Sequence, residues 1–389
     1  MAVSFVVCQL PMKIIYIANN WIDDGSSAIY ATYNVWGMAR NHMETHLIVR
    51  NVSKGDTSSL METYFGLDVP ENLTIHRIEK RLKKANFEYY WKASKLVGAL
   101  SDENTVVISR TPKIFPFLLR SKNRKYRIFY ETHNFFHDLD RRDDLSRKNF
   151  SLRKTALQEK MTLKKIDGLI CLTNTLKQLW QEYVTLPVHV IYPGLLPPRQ
   201  PKRDHQTINL AYTGSLDQGR GIYQILEMAA QLPDNYKVYL FGGKKDREIE
   251  HLNQLIAKNH LENTVEVTGW LSQRELQKRL SNMHLGLLPL RDNFFNRYLT
   301  APSKFFDYLA HSLPAVASSL PALDELVVQN NLGITVDWDQ PHAVAREIVR
   351  LMADAPKYNI LSNSVYRFAR EHTWEKRGEK IRHALFDQA

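Results

Sequence analysis

Residues 298–319 read YLTAPSKFFDYLAHSLPAVASS, and this stretch decides the fold expected for the chain. Pro302 suits the first turn of a helix, and apolar residues follow it at helical spacing. Pro314 then ends the helix, and residues 315–317 form a short apolar run typical of a buried parallel strand. A helix followed directly by a buried strand predicts one unit of a parallel α/β sheet.

Lys304 lies in the first turn of the predicted helix, where the helix dipole favours anions over cations. A lysine added to the free backbone N–H groups of a helix start makes a good phosphate site. One turn later, the Asp307 carboxylate suits two neighbouring hydroxyls of a ribose or sugar. The alternative is a solvated Lys304 that forms an i,i+3 ion pair with Asp307.

This stretch resembles the donor-binding segment of GT-B glycosyltransferases, specifically the retaining family 4 type. The shared residues are Pro302-Ser303-Lys304-x-x-Asp307-Tyr308-Leu309-Ala310, then Pro314-x-Val316-Ala317-Ser318 and Glu325. In that family the segment holds the diphosphate and ribose of a nucleotide sugar, which implies donor contacts for Thr300, Ser303 and Asp307. The family usually has two glutamates separated by seven residues. Here Asp307 replaces the second glutamate, and Leu299 occupies the position of the first. This chain therefore resembles the branches of the family with a Pro-Ser-Lys signature more closely than the others.

Composition and charge narrow the class of protein. The 389 residues are 44% apolar, which is enough for a sizeable core and two domains. The formal net charge of +11 implies acidic partners, such as nucleotide phosphates, anionic lipids or nucleic acid. Cys8 and Cys171 are far apart and predict neither a disulfide framework nor a cysteine metal site. No apolar run reaches the about 18 to 20 residues of a membrane span, so we expect a cytoplasmic protein with a disordered tail at 1–11.

Strands alternate with helices in both halves, which predicts an α/β protein with doubly wound parallel sheets. The candidate strands are 13–18, 46–49, 73–78, 105–109, 127–131, 168–172, 188–192, 208–212, 237–241, 265–267, 285–289 and 315–317. The resemblance implies GT-B architecture, with two Rossmann-like domains facing across a cleft. An acceptor-binding domain is expected at 1–195, a proline-rich linker at 196–206, a nucleotide-sugar domain at 207–365, and a helix crossing back at 366–389.

Three places in the first half carry candidate contacts. The loop after the first strand resembles the family's Gly-rich loop, which implies donor contacts for Gly25 and Ser26 and an acceptor contact for Asp24. His133 follows a strand, at the sheet edge where open α/β sheets bind ligands. A structural histidine is the alternative, and the resemblance implies a contact with the donor sugar. Arg110 also follows a strand and suits an anionic acceptor, unless it is a solvated surface arginine.

Residues 213–221, TGSLDQGRG, place three glycines and a cation between a strand and a helix, a pattern suited to phosphate. The loop, which begins with Gly214, resembles the family's Gly-Arg-Leu…Lys-Gly loop, whose two cations grip the donor pyrophosphate. In this chain Arg220 occupies the position of the second cation, whereas Ser215 occupies the position where the family usually has the first cation.

Two further glycine-bearing segments follow candidate strands of the second half. Gly269-Trp270-Leu271 resembles the family's segment near the nucleotide base, which implies donor contacts for Gly269 and Trp270. Gly242-Gly243 is expected to be an ordinary turn. No Asp-x-Asp motif follows a strand, so neither a metal nor a cofactor is expected.

Two basic clusters in the first half suggest a further partner. The first contains Arg77, Lys80, Arg81, Lys83, Lys84 and Lys92 with Phe87, Tyr89, Tyr90 and Trp91, and the second contains Arg141, Arg142, Arg147, Lys148, Arg153 and Lys154. Basic residues beside exposed aromatics suit an anionic membrane interface or single-stranded nucleic acid, and a solvated helix face is the alternative. We expect docking on the inner membrane surface, because no RRM, KH or helix-turn-helix signature favours nucleic acid.

The sequence therefore predicts a retaining, metal-independent glycosyltransferase that moves a sugar from a UDP- or GDP-sugar to a glycan, glycolipid or other acceptor. Lys304 and Arg220 are expected to stabilise the leaving diphosphate, and His133 to position the donor sugar. Two alternatives share the fold: a sugar-nucleotide epimerase, and a non-catalytic scaffold suggested by Leu299 and Ser215.

Overall fold

The computed structural model describes residues 12–19, 21, 26–50, 55–79, 86–120, 124–146, 149–200, 206–243 and 245–387. Their strands form two parallel sheets, which confirms the expected fold class. The first sheet contains β1 (Lys13–Ile17), β2 (Glu44–Arg50), β3 (Leu73–Ile78), β4 (Thr105–Ser109), β5 (Tyr126–Thr132), β6 (Gly168–Cys171) and β7 (Val188–Val190). The second contains β8 (Ile208–Thr213), β9 (Tyr236–Phe241), β10 (Val265–Gly269), β11 (Leu285–Leu288), β12 (Ala315–Ser318) and β13 (Gly333–Val336). Of these, β13 was not predicted.

Helices cover both faces of each sheet, which explains why the strands are apolar on both sides. The first half carries α1 (Ser26–Ala39), α2 (Thr57–Phe65), α3 (Asn86–Leu100), α4 (Phe115–Leu118), α5 (Phe150–Leu163) and α6 (Asn174–Gln181). The second half carries α7 (Ile222–Ala229), α8 (Asp246–Lys258), α9 (Gln273–Leu280), α10 (Ser303–Leu309), α11 (Pro321–Leu323), α12 (Pro341–Ala353), α13 (Ala355–Arg370) and α14 (Trp374–Leu385). No helix in the described part of the chain is long and apolar enough to cross a membrane.

The strand order reverses once in each sheet, and each reversal marks a crevice. The orders are β3-β2-β1-β4-β5-β6-β7 and β10-β9-β8-β11-β12-β13. Ligands of open α/β sheets bind outside the carboxyl ends of the strands at such reversals. The reversals lie beside β4, which Arg110 follows, and beside β8, which Gly214 follows.

The last helix returns to the first domain. Helix α14 packs against α1, and the contact is so close that a Cβ on Gly378 would lie 2.2 Å from the Gly37 carbonyl oxygen. Arg377 on α14 is buried and donates a hydrogen bond to Asn34 of α1 (2.8 Å). The domain limits drawn from the sequence stay predictions, and α13 runs through residue 365.

Candidate active site

Gly214 begins the phosphate-binding loop predicted in the second domain. Its φ of +131° lies in a region that glycine favours. A Cβ built on Gly214 would lie 3.0 Å from the Lys304 Nζ, and one on Gly242 would lie 1.8 Å from the Gly214 carbonyl oxygen. Glycine at these two positions therefore lets Lys304 and the neighbouring backbone approach the loop.

Lys304 is the second residue of α10, and its ammonium lies against the loop. Its Nζ is 3.9 Å from the centroid of the Tyr212 ring, a distance typical of a cation–π contact. Burial and, to a smaller extent, the Arg220 charge lower the pKa of Lys304 to about 7, although the Asp307 charge opposes the shift. Among the described residues, no carboxylate lies within the 4.0 Å of an ion pair. The lysine is thus partly exposed to the cleft and has no neutralising partner in the described chain.

Asp307 lies one turn after Lys304, and its pKa is shifted as well. Burial raises the pKa of Asp307 to about 7, although Gln277 and Lys304 oppose the shift. The Gln277 Nε2 is buried with no hydrogen-bond partner in the described chain. Across the cleft, burial and the Asp307 charge raise the pKa of Tyr33 on α1 to about 12. Asp307 therefore faces the first domain, and the Gln277 amide lies close enough to oppose the shift without forming a well-aligned hydrogen bond.

Arg220 and Ser215 occupy the two positions where the resembling family has cations. Arg220 ends a 3₁₀ turn, Gln218–Arg220, and its side chain is exposed. The Ser215 Oγ donates a hydrogen bond to Asp217 (2.6 Å), and the Tyr212 hydroxyl donates to the Ser215 carbonyl oxygen (2.7 Å). Ser215 therefore shapes the loop and adds no positive charge.

A cleft of about 2820 Å³ runs between the domains. A single small-molecule pocket is usually about 300–1,000 Å³, so the cleft has room for a donor and an acceptor together. The predicted donor residues that line it are Gly214, Ser215, Arg220, Trp270, Thr300, Ser303, Lys304 and Asp307. Gly269 lies beneath this surface, where its carbonyl oxygen accepts from the Gly242 N–H (2.9 Å).

Several lining residues were missed by sequence reasoning. They are Tyr33, Gln277, Gly242 and Gly243, the last two predicted to form an ordinary turn. The positive φ of both glycines and the close approach to Gly214 show why small residues stand there. The one sequence feature that could have revealed Gly242 and Gly243 as lining residues is a pair of glycines directly after a strand. Tyr33 and Gln277 lie on regular helices, where periodicity alone does not reveal a cleft-facing position.

The first domain buries a hydrogen-bonded network at the carboxyl end of β5. Glu131 accepts hydrogen bonds from Tyr16 (2.6 Å), from Tyr30, and from Arg377 of the last helix (2.7 Å). Burial alone would raise the pKa of Glu131, but Arg377 and His133 hold it well below its usual range. The carboxylate is therefore ionised and fully paired.

His133 and Arg110 lie beside this network. The His133 Nε2 is 3.3 Å from Glu131, and its ring meets the Tyr30 ring edge-on with centroids 4.8 Å apart. Burial and the Arg110 charge lower the pKa of His133 to about 4, so the imidazole is neutral at pH 7. The Arg110 guanidinium lies 4.7 Å from the Tyr30 centroid, and its buried NH1 has no partner among the described residues. The described lining of the cleft includes neither side chain.

The remaining predicted contacts lie in the loop after β1. Asp24 and Gly25 lie outside the described residues. Ser26 is the first residue of α1. In the described chain, no group of three or more His, Cys, Asp or Glu side chains has the arrangement of a metal site.

Leu299 and Glu325, which belong to the motif region, contact the first domain. Leu299 ends a π-helical turn, Phe295–Leu299, and is buried with Phe294 in the core of the first domain. The Phe294 N–H donates to Asp143 (2.8 Å). This burial explains why the side chain at position 299 is apolar.

The Glu325 carboxylate accepts hydrogen bonds from donors near the start of α6. They are the backbone N–H of Asn174 (2.8 Å), the backbone N–H and hydroxyl of Thr175 (both 2.7 Å) and the Tyr192 hydroxyl (2.9 Å). A carboxylate at a helix N-terminus is stabilising. Glu325 therefore joins the two domains behind the cleft.

Comparison with known proteins gives the same architecture. Residues 207–354 match the family described as glycosyl transferases group 1. An uncharacterized glycosyltransferase of Methanocaldococcus jannaschii is 21% identical over 210 residues, which are 54% of this chain and 56% of that protein. The match therefore spans about half of that relative.

Two solved structures cover nearly the whole chain. Sucrose-phosphate synthase from Thermosynechococcus elongatus has a TM-score of 0.74 and 16% identity, with 97% of this chain and 100% of that chain covered. Anabaena HepE in complex with UDP and glucose has a TM-score of 0.71 and 14% identity, with the same coverage. At these identities the likeness shows the fold, which is GT-B.

Proposed function

We propose that this protein is a retaining glycosyltransferase that transfers a sugar from a nucleoside-diphosphate sugar to an acceptor held by the first domain. The observation that carries the proposal is Lys304, a half-buried ammonium that lines the cleft at the strand-order reversal of the second sheet and has no carboxylate partner in the described chain. A buried charge is costly unless it is paired, so such a group is suited to an anionic ligand. The family match of the same domain supports a nucleotide sugar.

The donor diphosphate is proposed to lie between Gly214, Lys304 and Arg220. When the bond to the anomeric carbon breaks, its electron pair moves to the diphosphate, where the two cations stabilise the growing charge. These cations supply the positive charge that the reaction needs, so we propose transfer without a metal or other cofactor. Asp307 is proposed to accept hydrogen bonds from the ribose hydroxyls of the donor. Trp270 and Gly269 are assigned to the nucleotide base of the donor.

The acceptor hydroxyl is proposed to attack the face of the sugar from which the diphosphate leaves. Its proton passes to a donor phosphate oxygen, so no protein nucleophile is required. His133 is assigned to the donor sugar from its place after β5 and from the family resemblance, although it does not belong to the described lining of the cleft. Arg110 and Asp24 are assigned to the acceptor from the sequence alone, because Arg110 does not belong to the described lining of the cleft and Asp24 lies outside the described residues.

Because the structurally similar HepE was solved with UDP and glucose, UDP-sugars are the first donors to test. The purified protein would be mixed with UDP-, GDP- and ADP-sugars while thermal unfolding and release of nucleoside diphosphate are followed. One donor is expected to stabilise the protein and to be slowly hydrolysed without acceptor, and both effects are expected to weaken in Lys304→Ala.

Two outcomes would contradict this proposal. Stabilisation without turnover, even with an acceptor panel, would favour the scaffold, a possibility that Leu299 and Ser215 keep open. Conversion of the donor to another sugar nucleotide with no acceptor would favour an epimerase. An exposed lysine, Lys258 on α8, provides the matched control variant Lys258→Ala.

A further inference from the structure

Helix α5 presents large apolar side chains to solvent. Phe150 is 80% exposed, and Leu157 and Met161 are each 59% exposed. Their spacing of seven and four residues places them along one face of the helix. Single exposed apolar residues are ordinary, but a line of three on one helix marks an interaction surface.

The exposed charges of this helix are all positive. The exposed cations on α5 and directly after it are Arg153, Lys154, Lys160, Lys164 and Lys165. Glu159 is the only acidic residue of α5, and it is buried beneath the helix, where the Tyr130 hydroxyl donates to it (2.9 Å). The outer face of α5 therefore combines exposed apolar side chains with exposed cations and no exposed acidic side chain of its own.

Helices α3 and α4 extend the same surface. Helix α4 contacts both α3 and α5, and all three cover the same face of the first sheet. Phe87 and Trp91 on α3 are exposed, and the Phe87 ring meets Phe117 of α4 with centroids 5.2 Å apart. Lys95 lies 4.0 Å from the Trp91 centroid. We call the outer side of these three helices the α3–α4–α5 face.

This surface differs from the one expected from the sequence. Tyr89 and Tyr90 of the first basic cluster are buried. Arg142 of the second cluster is buried in an ion pair with Asp144 (2.6 Å). The structure thus removes three members of the predicted clusters from the surface and adds the apolar line of α5. Lys92 and Arg141 form ion pairs with Glu88 and Glu182. The members that lie outside the described residues are Lys80, Arg81, Lys83, Lys84, Arg147 and Lys148.

We propose that the α3–α4–α5 face docks the protein on an anionic membrane surface. The rings and aliphatic chains enter the boundary between headgroups and acyl chains while the cations meet the lipid phosphates. Leu157 and Met161 favour lipid over single-stranded nucleic acid, because base stacking requires aromatic or guanidinium planes. The absence of any exposed acidic side chain on described α5 complements a negative surface.

Docking on this face leaves the cleft uncovered. Helices α3 and α5 end directly before β4 and β6, so their starts, with Phe87 and Phe150, lie toward the carboxyl edge of the sheet. The first-domain lining of the cleft, which includes Tyr33 and Phe65, belongs to α1 and α2 on the opposite face of the sheet. A docked protein could therefore still take up a soluble donor, an extension that rests on the proposed transferase function.

The test is flotation of the purified full-length chain with vesicles of neutral phosphatidylcholine, and with vesicles that also contain an anionic phospholipid. The chain is expected to float only with the anionic vesicles and less so at high salt. Leu157→Ser/Met161→Ser is expected to lower the vesicle affinity by at least about tenfold, since less apolar area enters the interface. The control Ile360→Ser changes an equally exposed residue of α13 and is expected to bind as the unaltered chain does.

Lys154→Glu/Lys160→Glu is expected to weaken binding mainly at low salt, with Lys258→Glu as its control. Thermal unfolding of each variant checks that it folds. The proposal is overturned if the unaltered chain stays with the soluble fraction at low salt, or if the α5 variants bind as the controls do. A salt-dependent shift of an oligonucleotide without vesicle binding would assign the face to nucleic acid instead. Vesicle binding without any donor turnover would support docking while contradicting the proposed function.

Discussion

Each domain holds a cation beside a carboxylate, but only the pair in the first domain is buried and complete. In the first domain, Arg377 lies 2.7 Å from Glu131, and both side chains are only 1% exposed. In the second, Lys304 and Asp307 are neighbours without an ion pair, and burial shifts the pKa of each to about 7. The first pair is complete within the protein. The second is incomplete, which is the state expected of groups that a ligand neutralises.

Breaking the complete pair is expected to have the largest effect. Arg377→Ala leaves the Glu131 carboxylate buried without its main partner. It also removes the hydrogen bond that Arg377 donates to Asn34 of α1. Removal of one partner of a buried ion pair costs about 3–5 kcal/mol. The urea midpoint of unfolding is therefore expected to fall strongly. The control Arg382→Ala removes a more exposed arginine of the same helix, whose nearest carboxylate lies at 3.8 Å, and equal losses in both variants would show that Arg377 has no special role.

Breaking the incomplete pair is expected to reduce turnover while leaving the fold intact. Lys304→Ala removes a preorganised charge next to the proposed diphosphate, and such a loss costs about 2.7–4 kcal/mol, or about 10²–10³-fold in turnover. Steady-state kinetics with the donor found by the panel would measure it. Near-native turnover in this variant would exclude Lys304 from the mechanism.

Asp307→Asn tests the other half of the incomplete pair. Hydrogen bonds to a charged group contribute about 1.5–3 kcal/mol, so the affinity for a nucleoside diphosphate is expected to fall about tenfold to a hundredfold. Inorganic diphosphate has no ribose, and its affinity is expected to change less. Calorimetric titration with both ligands makes the comparison, and an equal loss for both would contradict a ribose contact.

The two pairs also differ in whether they could be predicted from the sequence. Lys304 was found because a cation in the first turn of a helix conflicts with the helix dipole, a local signal. Glu131 and Arg377 are 246 positions apart, and only the return of α14 to the first domain brings them together. Likewise, the pattern at 298–319 predicted a helix and a strand, but not that Leu299 is buried in the other domain. Periodicity reveals an apolar face and does not identify what covers it.

The pH dependence of donor binding also distinguishes the Lys304–Asp307 pair from the Arg377–Glu131 pair. It is the smallest of the effects expected here. The pKa of Lys304 is about 7 in the folded protein and 10.5 ordinarily, so between these values the folded lysine is neutral while the unfolded one is charged. Its contribution to stability therefore rises with pH in that window, since the unfolded chain binds more protons. A diphosphate favours the charged lysine, so binding takes up a proton above pH 7.

The affinity for a nucleoside diphosphate is therefore expected to fall by up to about tenfold per pH unit above pH 7, as linkage to one proton requires. Asp307 gives the opposite trend below pH 7, because its pKa is raised to about 7 and the ribose hydroxyls favour the ionised form. Lys304→Arg keeps the charge at every accessible pH and is expected to abolish the slope above pH 7. The same slope in Lys304→Arg would place the titrating group elsewhere, and the ionisation of Lys304 would then not govern donor binding.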